Sequence, residues 1–341
     1  GDGPRASWRL NSTLMGAEEA DAILFIGVNP RLEAAVFNAR VRKAWLRGTV
    51  YVGLVGERAD LGYAYEYIGA GPQSLSALGP FSDTLRSAKR PMIVLGEGAV
   101  ARPDGAQVLR AAGKLAASVG AVKPGDNWNG WNVLHNAAAR VGGLDLGFVP
   151  RNGGLDAAGM IADGALDTLV LLGVDDAPLP APGKTTVIYL GTHGDAGAHR
   201  ADIILPAAAY AEKAAISVNT EGRVQFGRRA TFPKGEARED WAILRALSGA
   251  MGRPLPYDSL ATLRARLIAD HPTFGQVDYA PGAAEMTGFD PAALGADGEV
   301  STAPFRSPVD RFHLTNPIAR ASETMAECAR FATSAEKVAA E

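Results

Sequence analysis

The residues best suited to chemistry lie in loops that follow short apolar segments. Gly27-Val28-Asn29-Pro30 comes directly after the run Ile23 to Ile26, and Asn219-Thr220-Glu221-Gly222-Arg223 lies beyond the run Ile203 to Leu205. Ligands of open α/β sheets bind outside the carboxyl ends of the strands, so both loops are candidate binding sites. A structural role is the alternative, because asparagine before proline favours extended backbone and glycine supplies the positive φ of a turn. The candidate site residues are Gly27, Asn29, Asn219 and Arg223.

A third glycine loop has the spacing of a dinucleotide-binding turn. Gly96-Glu97-Gly98-Ala99-Val100-Ala101 follows the run Met92 to Leu95, and glycines in such a turn let the backbone approach a pyrophosphate. Pro103 and Gly105 disturb the helix start that this turn requires, and no second strand ending in an acidic residue follows at the expected distance. A plain strand-to-helix turn is therefore favoured over NAD binding.

His193, Asp195 and His199 form the one imidazole and carboxylate cluster of the sequence. A metal site would need a third or fourth donor and support from neighbouring groups. Hydrogen bonds to the backbone of a glycine-containing loop are the favoured interpretation.

Two other groups also have structural interpretations. Glu212, Glu221 and Arg223 could orient a polar substrate, but an internal carboxylate-guanidinium network is favoured. Trp128 and Trp131, near His135, are expected in a core or an interface rather than as a stacking platform.

Composition limits the function further. The 341 residues carry a formal net charge of -3, which gives no electrostatic reason to expect nucleic acid as a partner. The apolar runs are far shorter than the roughly 20 residues that cross a bilayer, so we expect no direct membrane insertion. The single cysteine, Cys328, excludes an internal disulfide and an iron-sulfur cluster built from this chain's own cysteines.

The apolar runs are short and nearly continuous, as expected of parallel strands buried on both faces. We predict strands at Ile23 to Ile26, Val50 to Val55, Met92 to Leu95, Thr168 to Leu172, Val187 to Leu190 and Ile203 to Leu205. An apolar stripe from Leu32 to Trp45, with Gly48 as its stop, predicts a helix between the first two. The fold class is α/β, with open, mostly parallel, doubly wound sheets.

The chain changes character near residue 250. We predict an α/β domain over residues 1–250 and a loop-rich, helical carboxy-terminal extension over residues 251–341. In the extension, Asp258 is the predicted cap of a helix through Leu267, Ala280 to Asp310 is an irregular segment, and Asn316-Pro317 begins a last helix.

The run Ala201 to Gln225, ADIILPAAAYAEKAAISVNTEGRVQ, resembles the closing part of the molybdopterin oxidoreductase superfamily. In catalytic members a similar apolar strand and proline lead through Glu-Lys to Asn-Thr-Glu-Gly-Arg. The loop at Gly27 and Asn29 is also shared with those members, where it lies against the pterin nucleotide. The resemblance thus implies the sheet type of that superfamily.

Other stretches resemble one branch of the superfamily, the large iron-sulfur subunit of respiratory NADH:quinone oxidoreductase, complex I. They are Ala22 to Lys43, Tyr189 to Asp202, Arg238 to Leu247 and Ala319 to Cys328. The resemblance implies a non-catalytic scaffold segment from the carboxy-terminal part of that subunit, in which Gly27, Asn29, Asn219 and Arg223 mark a vestigial cleft. No cofactor is expected in this segment.

The resemblance also implies which clusters the rest of the subunit carries, which subunits it contacts and where it is located. The parent subunit is expected to carry 4Fe-4S and 2Fe-2S clusters in a region absent from these 341 residues. Expected partners are other peripheral-arm subunits of complex I, at the cytoplasmic face of a bacterial inner membrane or on the mitochondrial matrix side. Two alternatives stay open: a fragment of an active molybdopterin enzyme of the formate dehydrogenase or nitrate reductase type, and a small-molecule-binding α/β protein.

The lone cysteine and the scattered histidines predict that the purified chain carries neither molybdenum nor iron at stoichiometric level. Elemental analysis after dialysis measures this directly. About one metal atom per chain would contradict the scaffold interpretation, because bound metal in a folded site survives dialysis.

Overall fold

The structure is a computed structural model that describes residues 3–138, 140–162, 164–174, 178–179, 183–279, 289–309 and 311–340, with the side chains of 333–340 left aside. The chain forms two compact units. The first comprises Gly1–Phe148, Val218–Val224 and Asp278–Asp310, and the second comprises Val149–Ser217, Gln225–Val277 and Arg311–Glu341. These units interleave along the sequence, and the predicted sequence boundary after residue 250 stays a prediction.

The first unit is built on a five-stranded parallel sheet. The unit has seven complete strands among its described residues, five of them in this sheet. They are β1 (Ala22–Ile26), β2 (Tyr51–Val55), β3 (Glu66–Gly69), β4 (Pro91–Leu95), β5 (Val122–Lys123), β6 (Trp128–Asn129) and β7 (Trp131–Val133). The sheet order is β3-β2-β1-β4-β7, while β5 and β6 pair separately. Its α-helices are α1 (Thr13–Gly16), α2 (Pro30–Glu33), α3 (Ala35–Leu46), α4 (Phe81–Ser87), α5 (Glu97–Val100), α6 (Gly105–Ser118) and α7 (Arg140–Asp145).

Both faces of this sheet are covered by helices. Every residue of β1 and β4 is buried. Leu24 and Ile26 on one face of β1 share a core cluster with Val108 of α6. On the other face, Phe25 meets Phe37 of α3 in an edge-to-face contact with ring centroids 6.4 Å apart. The predicted doubly wound arrangement is confirmed.

The helix predicted between the first two strands is divided in the structure. Asn29 caps α2 through a hydrogen bond from Arg31 N to its side chain, and the backbone leaves helical geometry at Ala34 before α3 begins. The predicted stop at Gly48 is confirmed, since this residue has a φ of +70° just after α3.

The second unit contains a three-stranded parallel sheet and most of the strands of a hairpin, whose turn, Val218–Val224, belongs to the first unit. Its strands are β8 (Thr168–Leu172), β9 (Thr186–Gly191) and β10 (Ile203–Pro206), in the order β10-β9-β8, followed by β11 (Ala215–Val218) and β12 (Val224–Gly227). Its α-helices are α8 (Ala157–Ile161), α9 (Ala196–Arg200), α10 (Asp240–Ala250), α11 (Leu260–Asp270), α12 (Pro317–Arg320) and α13 (Glu323–Ala340). All six strands predicted from the sequence exist, each within one residue at either end.

Burial on both faces, predicted for all strands, is wrong for β8 and for β10, where Ile203 and Ile204 are 47% and 54% exposed. Leu169 and Leu171 are buried in a cluster with Val187 and Tyr189, whereas Val170 and Leu172, on the other face, are 40% and 48% exposed. Alternating burial of this kind reflects helices packed on one face of the strand. The apolar run showed that β8 is a strand but did not show what covers it.

The carboxy-terminal predictions had mixed outcomes. Ser259, not Asp258, caps α11, because its side chain accepts a hydrogen bond from Thr262 N. Asn316 caps α12 as predicted, but this helix ends at Arg320 and α13 begins at Glu323. Of the predicted irregular segment, residues 280–288 and 310 lie outside the described residues, and 289–309 contain one short 3-10 helix, Pro291–Ala293. Among the described residues, no helix has the length and apolar character that a membrane span requires.

Gly130 tests the packing of the first sheet. Its carbonyl accepts a hydrogen bond from Ile93 N at 2.8 Å, and a Cβ atom there would lie 2.0 Å from the carbonyl oxygen of Pro91. Gly130→Ala is expected to lower the free energy of unfolding by about 1–3 kcal/mol, the usual cost of overpacking, measured by urea denaturation. The control is Gly143→Ala in α7, where a Cβ would meet nothing within 4 Å. Equal stability of both variants would contradict this account.

Candidate functional site

Gly27 and Asn29 lie at the carboxyl end of β1, next to the carboxyl end of β4. Gly27 has a φ of +57°, and a Cβ atom on it would lie 2.6 Å from Ala99 N. The Asn29 side chain caps α2, and its backbone N–H donates to Glu33 Oε1 at 2.8 Å. Chain order places this point between β1 and β4, where the connections turn to opposite sides of the sheet, and ligands of doubly wound proteins bind at such a point.

Glu33 gives this edge an unusual carboxyl group. Its Oε1 accepts hydrogen bonds from Asn29 N and from Ser307 Oγ, the latter at 3.1 Å. Burial raises the pKa of Glu33, and the nearby Glu97 carboxylate raises it further, against the opposing effect of the hydrogen bonds. Glu97 in turn lies 3.7 Å from Arg140 Nη2.

One segment of the chain crosses this whole edge. Ser301–Val309, here named the strap, contacts the connection that follows each of β1, β2, β3 and β4. The bonds are Ser307 Oγ to Glu33 Oε1 (3.1 Å), Arg306 Nη1 to Glu57 Oε1 (3.4 Å), Phe305 N to Ala70 O (2.8 Å) and Ser301 N to Asp104 Oδ2 (2.7 Å). Phe305 is 1% exposed and belongs to the core of the first unit. The strap is therefore a packed part of the fold.

The strap also explains the glycines of the third loop. A Cβ atom on Gly98 would lie 2.2 Å from the carbonyl oxygen of Arg306 and 2.7 Å from that of Gly27. The close backbone approach that glycine allows is made here by the chain itself. On the Cβ side of Gly98, a pyrophosphate or pterin nucleotide would have to displace the strap.

Asn219 and Arg223 belong to the turn between β11 and β12. Asn219 Oδ1 accepts hydrogen bonds from Glu221 N at 3.1 Å and from Arg223 N at 2.9 Å, and Gly222 takes a φ of +87°. Arg223 Nη1 donates to Asp278 O at 2.6 Å. These bonds tie the turn to its own backbone and to Asp278, while Thr220 Oγ1 is buried with no hydrogen-bond partner among the described residues.

The predicted network of Glu212, Glu221 and Arg223 is only partly present, because Glu212 Oε2 accepts a hydrogen bond from Ala209 N at 3.0 Å instead. Arg223 Nη2 lies 3.9 Å from Glu221 Oε2, and the Arg223 side chain is 35% exposed. Glu221, by contrast, is buried and accepts a hydrogen bond from Leu14 N at 2.7 Å. The buried polar group of this turn is thus the glutamate, which helps to hold the amino-terminal segment.

The four candidate residues lie in two separate loops. Among the residues that the structure describes, no hydrogen bond or ion pair joins Gly27 or Asn29 to Asn219 or Arg223. Sequence reasoning also missed Glu33 and the strap. One signal was present, because Phe305 is a large apolar residue in a segment otherwise rich in Pro, Ser and Ala.

The His193, Asp195 and His199 cluster of the second unit has structural contacts. Asp195 caps α9 and pairs with Arg320 Nε, and this contact lowers the pKa of Asp195. His193 Nδ1 lies 2.8 Å from Thr192 Oγ1. Within the described part of the chain, no group of three or more His, Cys, Asp or Glu side chains converges as a metal site.

The tryptophans are core residues, as favoured from the sequence. Trp131 is fully buried, and Trp128 donates from Nε1 to Pro91 O at 3.0 Å. His135 Nε2 lies 2.5 Å from Trp8 O, and burial lowers the pKa of His135, which favours the neutral imidazole.

The second unit has its own crevice at the carboxyl ends of β8, β9 and β10. It has a volume of about 750 Å³, with Gly173, Gly191 and Ala207 among the residues that line it. Ile318 and Met325, from α12 and α13, lie over this crevice. The Arg320 and Asp195 ion pair fixes that carboxy-terminal segment to the unit. In both units, therefore, a late segment of the chain lies across the strand ends.

The parallel sheets and their strand-end loops define a class of protein. Residues 1–250 match the molybdopterin oxidoreductase family, and the chain belongs to that family. Residues 280–328 match a second family, described as the C-terminal part of the G-type component of NADH-ubiquinone oxidoreductase. The two resemblances stated from the sequence are thereby confirmed.

Three curated proteins from NADH dehydrogenases are similar to this chain over nearly its whole length. The chain is 39% identical over 330 residues to the mitochondrial NADH-ubiquinone oxidoreductase 78 kDa subunit of Neurospora crassa, covering 95% of this chain and 43% of that protein. It is 40% identical over 332 residues to the mitochondrial NADH dehydrogenase (ubiquinone) iron-sulfur protein 1 of Solanum tuberosum, with the same coverage of 95% and 43%. The 78 kDa subunit of Candida albicans is 40% identical over 344 residues, covering 98% and 46%. The chain thus spans less than half the length of these relatives.

Glu33→Gln tests whether the Glu33 carboxyl group is buried beneath the strap with a raised pKa. A carboxyl group whose folded-state pKa is raised destabilises the protein above that pKa, and the penalty disappears as pH falls towards the unfolded value of about 4.3. The glutamine keeps an acceptor for Asn29 N and Ser307 Oγ but carries no charge. We expect Glu33→Gln to be more stable than the parent at pH 7, with the difference shrinking towards pH 4.5 in urea denaturation. A difference that is independent of pH would refute this environment.

Proposed function

We propose that this chain is a non-catalytic scaffold segment of the large iron-sulfur subunit of a respiratory NADH:quinone oxidoreductase, complex I. The names and coverage of the relatives support this assignment, because two are 78 kDa subunits of NADH-ubiquinone oxidoreductase and one is an iron-sulfur protein of NADH dehydrogenase. The whole enzyme passes electrons from NADH to quinone. This segment supports that transfer mechanically.

The strap is the observation that carries the proposal. It lies across the carboxyl edge of the first sheet, where Gly27 and Asn29 belong to a vestigial cleft. An edge covered by Ser301–Val309, with Phe305 fixed in the core, favours a structural platform over a catalytic surface.

The electron carriers belong elsewhere in the proposed subunit. Its 4Fe-4S and 2Fe-2S clusters lie in a region outside these 341 residues, since Cys328 is the single cysteine here and typical clusters take four thiolates. Other peripheral-arm subunits of complex I are its partners. The location that follows is the cytoplasmic face of a bacterial inner membrane or the mitochondrial matrix side.

A substitution of Arg320 tests whether this segment acts mechanically or takes part in electron transfer. Arg320→Ala in the full-length subunit removes the ion pair with Asp195, whose two side chains are 13% and 24% exposed, at a cost of about 1–3 kcal/mol. We expect less assembled complex but an unchanged NADH-to-quinone rate per assembled complex. Native gel electrophoresis and quinone-reductase assays measure the two quantities.

The matched control is Arg330→Ala, because the Arg330 side chain is 76% exposed on α13. It should change neither quantity. Truncation after Asp310 should weaken assembly more than Arg320→Ala does, since it removes α12 and α13 together. Normal assembly with a collapsed electron-transfer rate would overturn the proposal.

A further inference from the structure

The second unit carries an apolar groove that its own core does not fill. The groove has a volume of about 420 Å³ and is lined by Leu172, Ile216, Trp241, Leu244, Leu263 and Leu267. The helices that form its walls, α10 and α11, contain no fully buried residue. Leu172 connects the groove to the open face of the second sheet, where Val170 is also partly exposed. A continuous apolar surface of this kind, set among charged residues, is typical of a protein interface.

Arg264 is a charged residue in this apolar surface, and its guanidinium needs a hydrogen-bond acceptor. It lies on the groove wall, and its guanidinium carbon stacks 4.2 Å above the Phe226 ring. Arg264 Nη2 is buried, and none of the residues that the structure describes accepts a hydrogen bond from it. A buried donor without an acceptor is costly, so a group that enters the groove with a carboxylate gains both a hydrogen bond and an ion pair.

The other charged groups of the groove already have partners. Lys213 pairs with Asp240, and Glu239 Oε2 accepts a hydrogen bond from Trp241 Nε1 at 2.9 Å. Arg264 therefore sets the charge that a binding partner must match, and that charge is negative. The apolar lining between two helices suits a third helix laid into it.

We propose that this groove docks an amphipathic helix of another protein subunit, whose aliphatic stripe fills the groove and whose Asp or Glu pairs with Arg264. The proposal rests on the proposed function, which supplies a multisubunit assembly. It goes further by naming the surface and the chemistry of the partner. Helix-in-groove recognition uses apolar anchors at i, i+3, i+4 and i+7, and one acidic residue beside such a stripe completes the match.

Photo-cross-linking in the intact respiratory complex tests the surface. A benzoylphenylalanine at position 226 of the full-length subunit replaces an aromatic ring that is 42% exposed and lies against Arg264. Position 232 is the control, because Phe232 is also exposed and is stacked by an arginine, Arg229. We expect position 226, and not 232, to cross-link to one helix of another subunit that bears an aliphatic stripe and an acidic residue.

Charge reversal tests the ion pair. Arg264→Glu should lower the cross-link yield by about tenfold or more, since truncated buried charge pairs at interfaces lose at least that much affinity. Arg266→Glu, on the same helix but 61% exposed and paired with Asp270, should leave it unchanged. Thermal melting of each variant verifies folding, and hydrogen exchange of the unmodified subunit should show α11 protected in the complex relative to the isolated subunit.

Several outcomes would overturn the docking proposal: no cross-link, a cross-link to the same polypeptide, a partner segment that lacks the aliphatic stripe or the acidic residue, or equal yields from the two glutamate variants. Its failure is distinguishable from failure of the proposed function. If the wild-type subunit is absent from the NADH:quinone oxidoreductase complex, the proposed function fails. If it is present and α11 stays unprotected, only the groove assignment fails.

Discussion

The parallel pairing of β1 with β4 is the constraint on which the rest of the first unit depends. Both strands are buried along their whole length, so helices must cover both faces of the sheet and the polar connections are confined to its ends. Backbone groups at the carboxyl edge still need partners. Gly27 N donates to Val55 O at 2.9 Å, and Gly96 N donates to Ile26 O at 3.0 Å. The glycines of the candidate loops thus extend the sheet by one hydrogen bond before the chain turns away.

The same edge has two possible uses in proteins of this architecture. Loops at strand ends hold ligands in many doubly wound folds, but their free polar groups can equally hold another part of the chain. Here the strap donates hydrogen bonds to Glu33 Oε1 and to the Glu57 carboxylate, and its backbone fills the space beside Gly98. A loop sequence shared with cofactor-binding relatives is therefore compatible with a purely structural edge.

Local sequence determined what could be predicted. Apolar runs located six of the parallel strands because a short, nearly continuous apolar run is visible in a strand's own side chains, whatever packs against it. β7 was missed because it is three residues long and contains Asn132. Asn29 and Asn316 were predictable caps, since both precede proline at a helix start. The strap, the Arg320 and Asp195 pair and the exposed face of β8 depend on contacts between distant segments, which no local pattern encodes.

The strap is synthesised long after the strands that it covers. Ser307 lies 274 residues beyond Glu33, and at about 5–20 residues per second a ribosome needs on the order of tens of seconds to make that stretch. During that interval the place of Phe305 among Leu75, Leu78 and Phe81 in the core is open to water. The nascent first unit consequently exposes apolar core surface until Phe305 can pack onto it. Closure of the edge is therefore a late step in the folding of this unit.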